Sequence, residues 1–378
     1  MEKPHNAGNF LFMIFWWIVQ HVNPRWAHRL LYWGLRDGSF PSGHCKDPRL
    51  TVDVWGRKFL TPIGIGDGVD KRGNITDPLI QMGFAFGEFG PYTLEKEMPP
   101  IDTKYYKKDR AILVHCDGFR NPGLTKILPW LVKRRYLPHF VGVDLVIPAE
   151  SEDLNIKQGR RFTYRDEFVV MTQKVAPYVD FITIDFSHPN SELCLMVVDA
   201  STVVPILRAV KETIARAAPI QKPKLLVKIP VDLNAMEAPL VAQLLVDSGV
   251  DGVVIGGPMA MAKNPGVRLD GKRIDSNGLL YGQPVHDATC ELIRKIYRHT
   301  QGKLLILAHG GLFSGKDAFS YIAAGATLLL FDRATLNFEG PGALIRINHE
   351  LGELLEQKGF KSVVDVIGSD FAETKYPE

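Results

Sequence analysis

The chain has 378 residues, of which 46% are hydrophobic and 23% are charged, and this composition is typical of a folded globular protein with a large core. Its formal net charge of +3 is too small to favour a nucleic-acid partner, and its basic runs are short enough to be solvated surface. The four cysteines are scattered without a C-x-x-C pair, which argues against a disulfide framework or a structural zinc and favours a reducing compartment.

Residues 9–22 form an apolar segment near the N-terminus. Its uninterrupted apolar core is about ten residues long, roughly half the length that a bilayer-spanning helix needs. It is also a poor signal peptide, because Glu2 and Lys3 cancel in charge and no small-residue cleavage site follows. Trp16 and Trp17 are typical of a helix that lies at a membrane interface. We therefore expect this helix to contact a membrane surface or a partner subunit, with packing on the protein's own core as the alternative.

A second helix is predicted directly after the first. Asn23 is a suitable N-cap, Pro24 suits the first helical turn, and the apolar pattern continues to about Arg36. The next residues, 37–48, are rich in Gly, Pro and Ser and indicate a linker. Together these features predict a helical hairpin within residues 9–36. We expect residues 1–48 to be a membrane- or partner-facing extension ahead of a domain that spans residues 49–378.

From about residue 50, short β-rich apolar runs alternate with amphipathic helical stretches. This alternation predicts parallel β/α units, and eight strands predict a closed (β/α)8 TIM barrel rather than an open sheet. A further apolar run, 111–115, is predicted to belong to a hairpin in a long loop. The predicted strands are 62–66, 84–89, 140–145, 181–185, 225–229, 252–255, 304–308 and 328–331, and the clearest predicted helices are 201–217, 239–247, 287–298 and 343–355.

Polar residues and glycines cluster where the predicted strands end. In β/α barrels the C-terminal strand ends carry the functional site, and a phosphate commonly binds after strands seven and eight. Gly310 and Gly311 follow the seventh predicted strand and open a helix, so their N–H groups are expected to face an anion. The strand-end residues are Gly66, Asp67, Gly90, Asp144, 185–188, Lys228, Gly256, Gly257, Gly310, Gly311, Asp332 and Arg333.

Several segments, in order along nearly the whole chain, resemble a known family. The segment TPIGIGDGVDKRG at 61–73 resembles N-P-x-G-L-A-A-G-x-D-K-x-G, and DFSHPNS at 185–191 resembles N-x-S-S-P-N-T. LLVKI at 225–229 matches a strand that carries a lysine, and AHGGLFSGKDA at 308–318 resembles G-x-G-G-I-x-S-G-x-D-A. NPRWAH at 23–28 resembles D-P-E-x-A-H in a helical extension, and 340–348 and 358–368 resemble the C-terminal helical region. These are motifs of the class 2 dihydroorotate dehydrogenases, membrane-associated FMN enzymes of pyrimidine synthesis.

The resemblance implies an FMN across the mouth of a TIM barrel and transfer of its electrons to a quinone that enters through the helical extension. It also implies a peripheral position on the mitochondrial inner membrane. Lys228 matches the lysine that contacts the flavin, Lys71 matches the lysine that contacts the orotate carboxylate, and His188 stands at the position of the catalytic serine base. The other implied contacts are Asn190 and Asp185 for substrate, and Gly66, Gly90, Asp144, Gly310, Gly311 and Arg333 for FMN.

The sequence departs from the family pattern at the site rather than in the scaffold. Asp144 and Asp185 align with asparagines, and an ionised aspartate accepts hydrogen bonds but cannot donate them. Gly66-Asp67 replaces the two alanines under the flavin, and 256–258 reads GGP where the family has T-N-T. The loop 115–121 reads HCDGFRN in place of N-R-x-G-F-N-N. Asp332 and Arg333 stand near the family's phosphate-side Y-[ST]-G, where an aspartate repels phosphate unless Arg333 offsets its charge.

Two hypotheses follow for the function. The first is a pseudoenzyme, with a degenerate active site, that serves as an accessory or structural subunit at the mitochondrial inner membrane. The alternative is a divergent FMN-dependent oxidoreductase of pyrimidine biosynthesis that passes electrons from dihydroorotate, or a related small acid, to a quinone. His188 is either a general base for such chemistry or a tolerated loop residue. Lys71 and Lys228 either bind ligands or pair with Asp144 and Asp185.

A metal site is not expected. Hard carboxylates together with imidazoles can hold a divalent ion, but no ligand spacing in the sequence supports such a site. The side chains considered for it are Asp67, Asp144, Asp185, His115 and His188.

Overall fold

The structure is a computed structural model. It describes residues 32–35, 45–73, 75–98, 103–106, 112–115, 119–134, 137–148, 162–189, 191, 193–260, 268–269, 272–273, 279–340 and 342–374. The predicted first helix lies outside these ranges, and of the predicted second helix only residues 32–35 are described, where the backbone is helical. Within the described residues, no helix combines the length and the apolar character that crossing a membrane requires.

Eight parallel strands form a closed barrel in which each strand pairs with its neighbour in the chain. The eighth strand closes onto the first through the pairs Leu330↔Gly64 and Phe331↔Ile65. The predicted TIM barrel is therefore confirmed. In chain order the barrel strands are Ile63–Ile65, Gly87–Tyr92, Val141–Leu145, Phe181–Asp185, Lys224–Ile229, Gly252–Gly256, Ile306–His309 and Leu328–Phe331.

Helices follow the barrel strands and cover the outside of the barrel. Local signals mark where several of them begin: Thr163 and Asp166 form a capping box, and the Asp199 carboxylate accepts from the N–H of Ser201. All four of the clearest predicted helices are confirmed. The helices of the described chain are Thr76–Gln81, Leu124–Arg134, Tyr164–Val175, Leu193–Met196, Ala200–Ala217, Glu237–Asp247, Val285–Thr300, Gly315–Ala324, Arg333–Glu339 and Ala343–Gln357.

A small antiparallel sheet is built from the loops that follow the strands. Ile112–His115 pairs with Thr103–Tyr106, so the apolar run predicted to lie in a loop hairpin does so. Leu279–Gly282 pairs with the other edge of Ile112–His115 and with Met259–Ala260. Two shorter pairs are the hairpin of Val52–Val54 with Arg57–Phe59, and Arg268–Leu269 with Lys272–Arg273.

Aromatic side chains close the end of the barrel at which the strands begin. The rings of Trp55 and Phe140 stack at 5.8 Å, and those of Phe140 and Phe181 stack at 5.7 Å. Phe59 packs edge-on to Phe140 with the ring centroids 5.4 Å apart. Such pairs add about 0.5–1.5 kcal/mol beyond their burial. This floor leaves the opposite end, where the strands finish, as the end that carries polar groups.

The second barrel strand begins three residues later than predicted, at Gly87 instead of residue 84. The apolar run that suggested the earlier start contains Phe84 and Phe86, which are both buried. Phe86 packs against Phe59 of the aromatic floor, and Phe84 packs edge-on to Phe331. Their hydrophobicity therefore reflects core packing ahead of the strand.

We expect Gly142→Ala to lower the free energy of unfolding by about 1–3 kcal/mol, because a Cβ at this position would overlap the ring of Phe181. Denaturant unfolding of the purified variant measures the loss. The double variant Gly142→Ala, Phe181→Leu is the control, because a smaller neighbour makes room for the methyl group. If the losses caused by Gly142→Ala alone and by Phe181→Leu alone simply add in the double variant, the contact with Phe181 is not the cause.

Candidate active site

A buried lysine and its carboxylate partners occupy the barrel mouth, which we define as the C-terminal ends of the eight barrel strands with the loops that follow them. Nζ of Lys228 lies 2.5 Å from Oδ1 of Asp67, 3.3 Å from Oδ2 of Asp144 and 4.0 Å from Oδ2 of Asp185. The Lys228 side chain is 1% exposed. The chain supplies these groups from the ends of strands one, three, four and five, which a closed barrel brings to one place.

A fourth carboxyl lies near this lysine within the barrel. Glu88, on the second strand, is fully buried and accepts a short hydrogen bond from the hydroxyl of Thr183 on the fourth strand. Burial raises the pKa of Glu88 to about 7, and the charge of Asp67 adds to this effect. We refer to Lys228, Asp67, Asp144, Asp185 and Glu88 together as the Lys228 cluster.

One ammonium group cannot keep four buried carboxyls ionised, so the pKa values of these carboxyls shift in different directions. Burial works against ionisation of Asp67, but the ammonium of Lys228 outweighs it and holds the pKa of Asp67 well below its usual range. Burial, helped by the charge of Asp185, raises the pKa of Asp144 well above its usual range. Burial also raises the pKa of Asp185, against the attraction of Lys228. Lys228 therefore has Asp67 as its ionised partner, while the raised pKa of Asp144 favours its protonated form.

His309 and Tyr281 bring further side chains to the same place. Nδ1 of His309, at the end of the seventh strand, lies 3.4 Å from Oδ1 of Asp67. Burial lowers the pKa of His309 to about 4, so the ring is neutral at physiological pH. Neither ring nitrogen has a hydrogen-bond partner among the described residues. Burial and then the charge of Asp67 raise the pKa of Tyr281, whose side chain packs against the hydrophobic cluster of Phe313, Ala334 and Phe338.

The glycine turn that was predicted to receive a phosphate is occupied by groups of the chain itself. Gly310 and Gly311 have φ values of +84° and +67°, which favour glycine. The N–H of Gly310 donates to the carbonyl of Leu330 at 3.2 Å. The carboxyl group of Asp332 lies beside this turn, since a Cβ on Gly310 would stand 3.1 Å from its Oδ2, and it caps the next helix by accepting from the N–H of Thr335 at 2.8 Å. The N–H of Gly310 therefore already has an acceptor, and a carboxyl group of the chain itself lies at the turn.

Gly66, Gly90 and Arg333, which were also predicted to belong to the site, border the groups described above. Gly66 follows the first strand, and a Cβ there would lie 2.6 Å from Nε2 of His309. Gly90 has a φ of +124°, and a Cβ there would lie 2.7 Å from the main-chain oxygen of Asp144. Arg333 begins the helix after the eighth strand, where its charge acts on Tyr281. Asn190 lies outside the described residues.

His188 and Lys71 lie in the loops that follow the fourth and the first barrel strand. His188 is 5% exposed, and its ring lies 4.0 Å from the ring of Phe119, centroid to centroid. Lys71 is partly exposed and follows Asp70, whose carboxylate accepts hydrogen bonds from several N–H groups of the same loop. That carboxylate fixes the backbone around Lys71. Asp185 is anchored in a similar way, because its Oδ1 accepts from both the N–H and the hydroxyl of Ser187 at 2.6 Å.

Sequence reasoning missed three members of this site. Glu88 carried a usable signal, because it is a charged residue inside an otherwise apolar run. His309 also stood at a strand end, where the other polar residues were noticed. Tyr281 carried no signal, since it reaches the mouth through pairing of distant loop strands. In the described part of the chain, no group of three or more His, Cys, Asp or Glu side chains is arranged to hold a metal ion.

These features define a TIM-barrel protein whose polar site lies at the C-terminal mouth, as in barrel enzymes. A family model described as dihydroorotate dehydrogenase matches residues 49–355. The chain therefore belongs to the dihydroorotate dehydrogenase family, as its sequence motifs predicted.

Similar proteins cover nearly the whole chain. The mitochondrial dihydroorotate dehydrogenase (quinone) of Mus musculus is 31% identical over 92% of this chain and 87% of the mouse protein. The dihydroorotate dehydrogenase (quinone) of Azorhizobium caulinodans is 30% identical over 92% of this chain and 95% of that protein. The crystal structure of ligand-free DHODH from Eimeria tenella superimposes with a TM-score of 0.80 at 25% identity, covering 92% of this chain and 99% of that chain.

We expect Lys228→Met to lower the free energy of unfolding by about 3–5 kcal/mol, because Asp67 is left ionised and buried without its cation. Lys224→Met is the matched control, since it breaks a half-exposed pair with Asp251 at 3.1 Å and should cost at most about 1 kcal/mol. Denaturant unfolding at pH 7 measures both. Equal losses in the two variants would mean that Lys228 does not hold the mouth together.

We expect Glu88→Gln to flatten the pH dependence of stability. The folded-state pKa of Glu88, about 7, exceeds its ordinary value of 4.5, so its protonated form stabilises the fold below about pH 4.5 and that contribution is lost as pH rises through 7. Above pH 8 the wild type should have lost about 3 kcal/mol that the glutamine variant keeps, since a pKa difference of 1 corresponds to about 1.4 kcal/mol.

Denaturant unfolding between pH 5 and pH 8.5 measures this difference. The exposed Glu212 offers the control Glu212→Gln, which should follow the wild-type profile. Parallel profiles for wild type and Glu88→Gln would rule out a protonated Glu88 at neutral pH.

Proposed function

We propose that this chain is a dihydroorotate dehydrogenase-family protein without flavin chemistry, which serves as an accessory or structural subunit at the mitochondrial inner membrane. One observation carries the proposal: the ammonium of Lys228, the group expected to contact a flavin, is buried against Asp67 at 2.5 Å. A lysine in this state has its charge compensated from within the chain. It therefore offers little to an anion that arrives from outside.

The mouth does not fit FMN as its residues stand. The family pattern has two alanines under the flavin, whereas position 67 here is a carboxylate with the His309 ring beside it. At the glycine turn, where a phosphate was expected, the N–H of Gly310 already donates to Leu330 and the carboxyl group of Asp332 lies alongside. An added phosphate would also meet the charge of Asp332 whenever that carboxyl is ionised. These contacts support a barrel mouth that is complete without a cofactor.

The substrate side supports the same proposal. His188, at the position of the catalytic base, is buried beneath Phe119 and therefore poorly placed to reach a substrate carbon. Asp185, at the position of a substrate-binding amide, lies 4.0 Å from Nζ of Lys228 and holds Ser187. An aspartate there would repel the carboxylate of an orotate-like acid when ionised.

The proposed partner surface is the extension before the barrel. Tyr32 donates a hydrogen bond to the carbonyl of Val69 at 2.7 Å, and Leu35 is fully buried, so this helical turn is fixed to the barrel mouth. Trp33, between them, is 63% exposed. The apolar residues 9–22 come shortly before it in the sequence. We propose that residues 9–36 contact the membrane surface or a subunit of a membrane complex, and that residues 49–378 form the barrel domain.

The second candidate is an FMN-dependent oxidoreductase of pyrimidine biosynthesis, acting on dihydroorotate or a related acid with a quinone as acceptor. The relatives' names support it, because the mouse protein is a dihydroorotate dehydrogenase (quinone) and aligns over 87% of its own length. Lys71, Lys228 and the Gly310–Gly311 turn are also retained. The names favour this candidate over the first, whereas the contacts of Lys228 and Asp332 favour the first.

The flavin content of the purified protein separates the two candidates. We expect no FMN above background in the supernatant after heat release, even from protein incubated with excess FMN, and no quinone reduction with dihydroorotate. The mouse relative, treated in parallel, is the positive control. Stoichiometric FMN in this chain would reject the first candidate and make the second the working assignment.

A further inference from the structure

The chain's own carboxyl groups stand at the two places in the barrel mouth where a flavin and its phosphate were expected. Asp67 meets the ammonium of Lys228 at 2.5 Å, and Oδ2 of Asp332 would lie 3.1 Å from a Cβ on Gly310. We propose that Asp67 is a built-in occupant of the mouth that fills the place of an external anion beside Lys228. This inference rests on the proposed function, because it assumes that the mouth holds no FMN.

The position of Lys228 explains why Asp67 decides access. The lysine is 1% exposed, so an arriving anion must come close to Nζ to gain from its charge. Gly257 borders the lysine on one side, since a Cβ there would lie 3.5 Å from Cε. Asp185 lies 4.0 Å from Nζ, and its Oδ1 accepts a hydrogen bond from the N–H of Ser187. Asp67 is therefore the carboxylate nearest to Nζ.

Neighbouring side chains hold Asp67 in this place. The His309 ring packs against Gly66, directly before Asp67, and its Nδ1 lies 3.4 Å from the Asp67 carboxylate. The ammonium of Lys228 itself donates a hydrogen bond to Oδ1 of Asp67. An outside anion would have to displace a carboxylate that is covalently tethered and already hydrogen-bonded. Tethering favours the internal anion, because it loses little freedom on binding.

Asp144 can replace Asp67 as the counter-charge of Lys228. Its Oδ2 lies 3.3 Å from Nζ of Lys228, so loss of Asp67 would let Asp144 release its proton and become the counter-charge. A variant that removes Asp67 alone should therefore open the site only in part. The double variant Asp67→Ala, Asp144→Asn removes both competitors and leaves a cavity of about carboxylate size beside Lys228.

The test is rescue by formate, the smallest carboxylate. In Asp67→Ala, Asp144→Asn we expect formate to stabilise the fold saturably, by about tenfold in the folding equilibrium constant at about 0.5 M if its dissociation constant is near 50 mM. Sodium chloride at equal ionic strength serves as the reference. The wild type and Asp251→Asn, which breaks the half-exposed pair with Lys224, should show no formate-specific effect.

The single variant Asp67→Ala repeats the test should the double variant not fold, with a smaller rescue expected. Absence of a formate-specific effect in the folded variants would overturn the inference about Asp67. FMN content of the wild type is measured on the same preparations. Bound FMN there would overturn the proposed function, whereas flavin-free wild type with no formate rescue would overturn only the occupancy of the mouth by Asp67.

Discussion

The ion pair of Lys228 with Asp67 governs the chemistry of the barrel mouth. A buried ammonium is stable only with an anion beside it, and here the first strand supplies that anion at 2.5 Å. Burial and this choice of partner together set the state of the other groups: Asp67 stays ionised, Asp144 favours its protonated form, the pKa of Glu88 rises to about 7, and His309 stays neutral. The first four barrel strands and their ends, which contribute Asp67, Glu88, Asp144 and Asp185, are thereby linked through polar contacts as well as through the barrel ladder.

The barrel itself was largely readable from the sequence. Phe181–Asp185 and Leu328–Phe331 were predicted to the residue, because a buried parallel strand is a short continuous apolar run with sharp ends. The second strand was displaced by three residues, since Phe84 and Phe86 are hydrophobic for the sake of the core and not of the ladder. The hydrophobic pattern of a sequence indicates which residues are buried. Buried residues occur both in strands and in the segments that lead into them.

The site was readable only in part, and the reason is geometric. A lysine at the end of the fifth strand was expected either to contact a ligand or to pair with Asp144 or Asp185, and both aspartates do lie within 4.0 Å. Its nearest partner, Asp67, stood among the polar strand-end residues and the departures from the family, but it was not predicted to pair with Lys228. Which carboxylate comes closest depends on how strand ends and loops are placed around the lysine, and the three distances differ by at most 1.5 Å. The position of Tyr281 could not be predicted from the sequence, because pairing between strands far apart along the chain brings it to the mouth.

The fixed turn before the barrel has a consequence for how the chain folds. Leu35 belongs to the same hydrophobic core as the strands, and Tyr32 is bonded to the loop that carries Lys71. A boundary after residue 48 separates two proposed functions, but it does not separate two parts that fold independently. A chain that began at residue 49 would lack Leu35, which belongs to the hydrophobic core. The loop after the first barrel strand would also lose its hydrogen bond from Tyr32. Extension and barrel are better regarded as one unit of folding, so that whatever binds the extension acts on the stability of the whole.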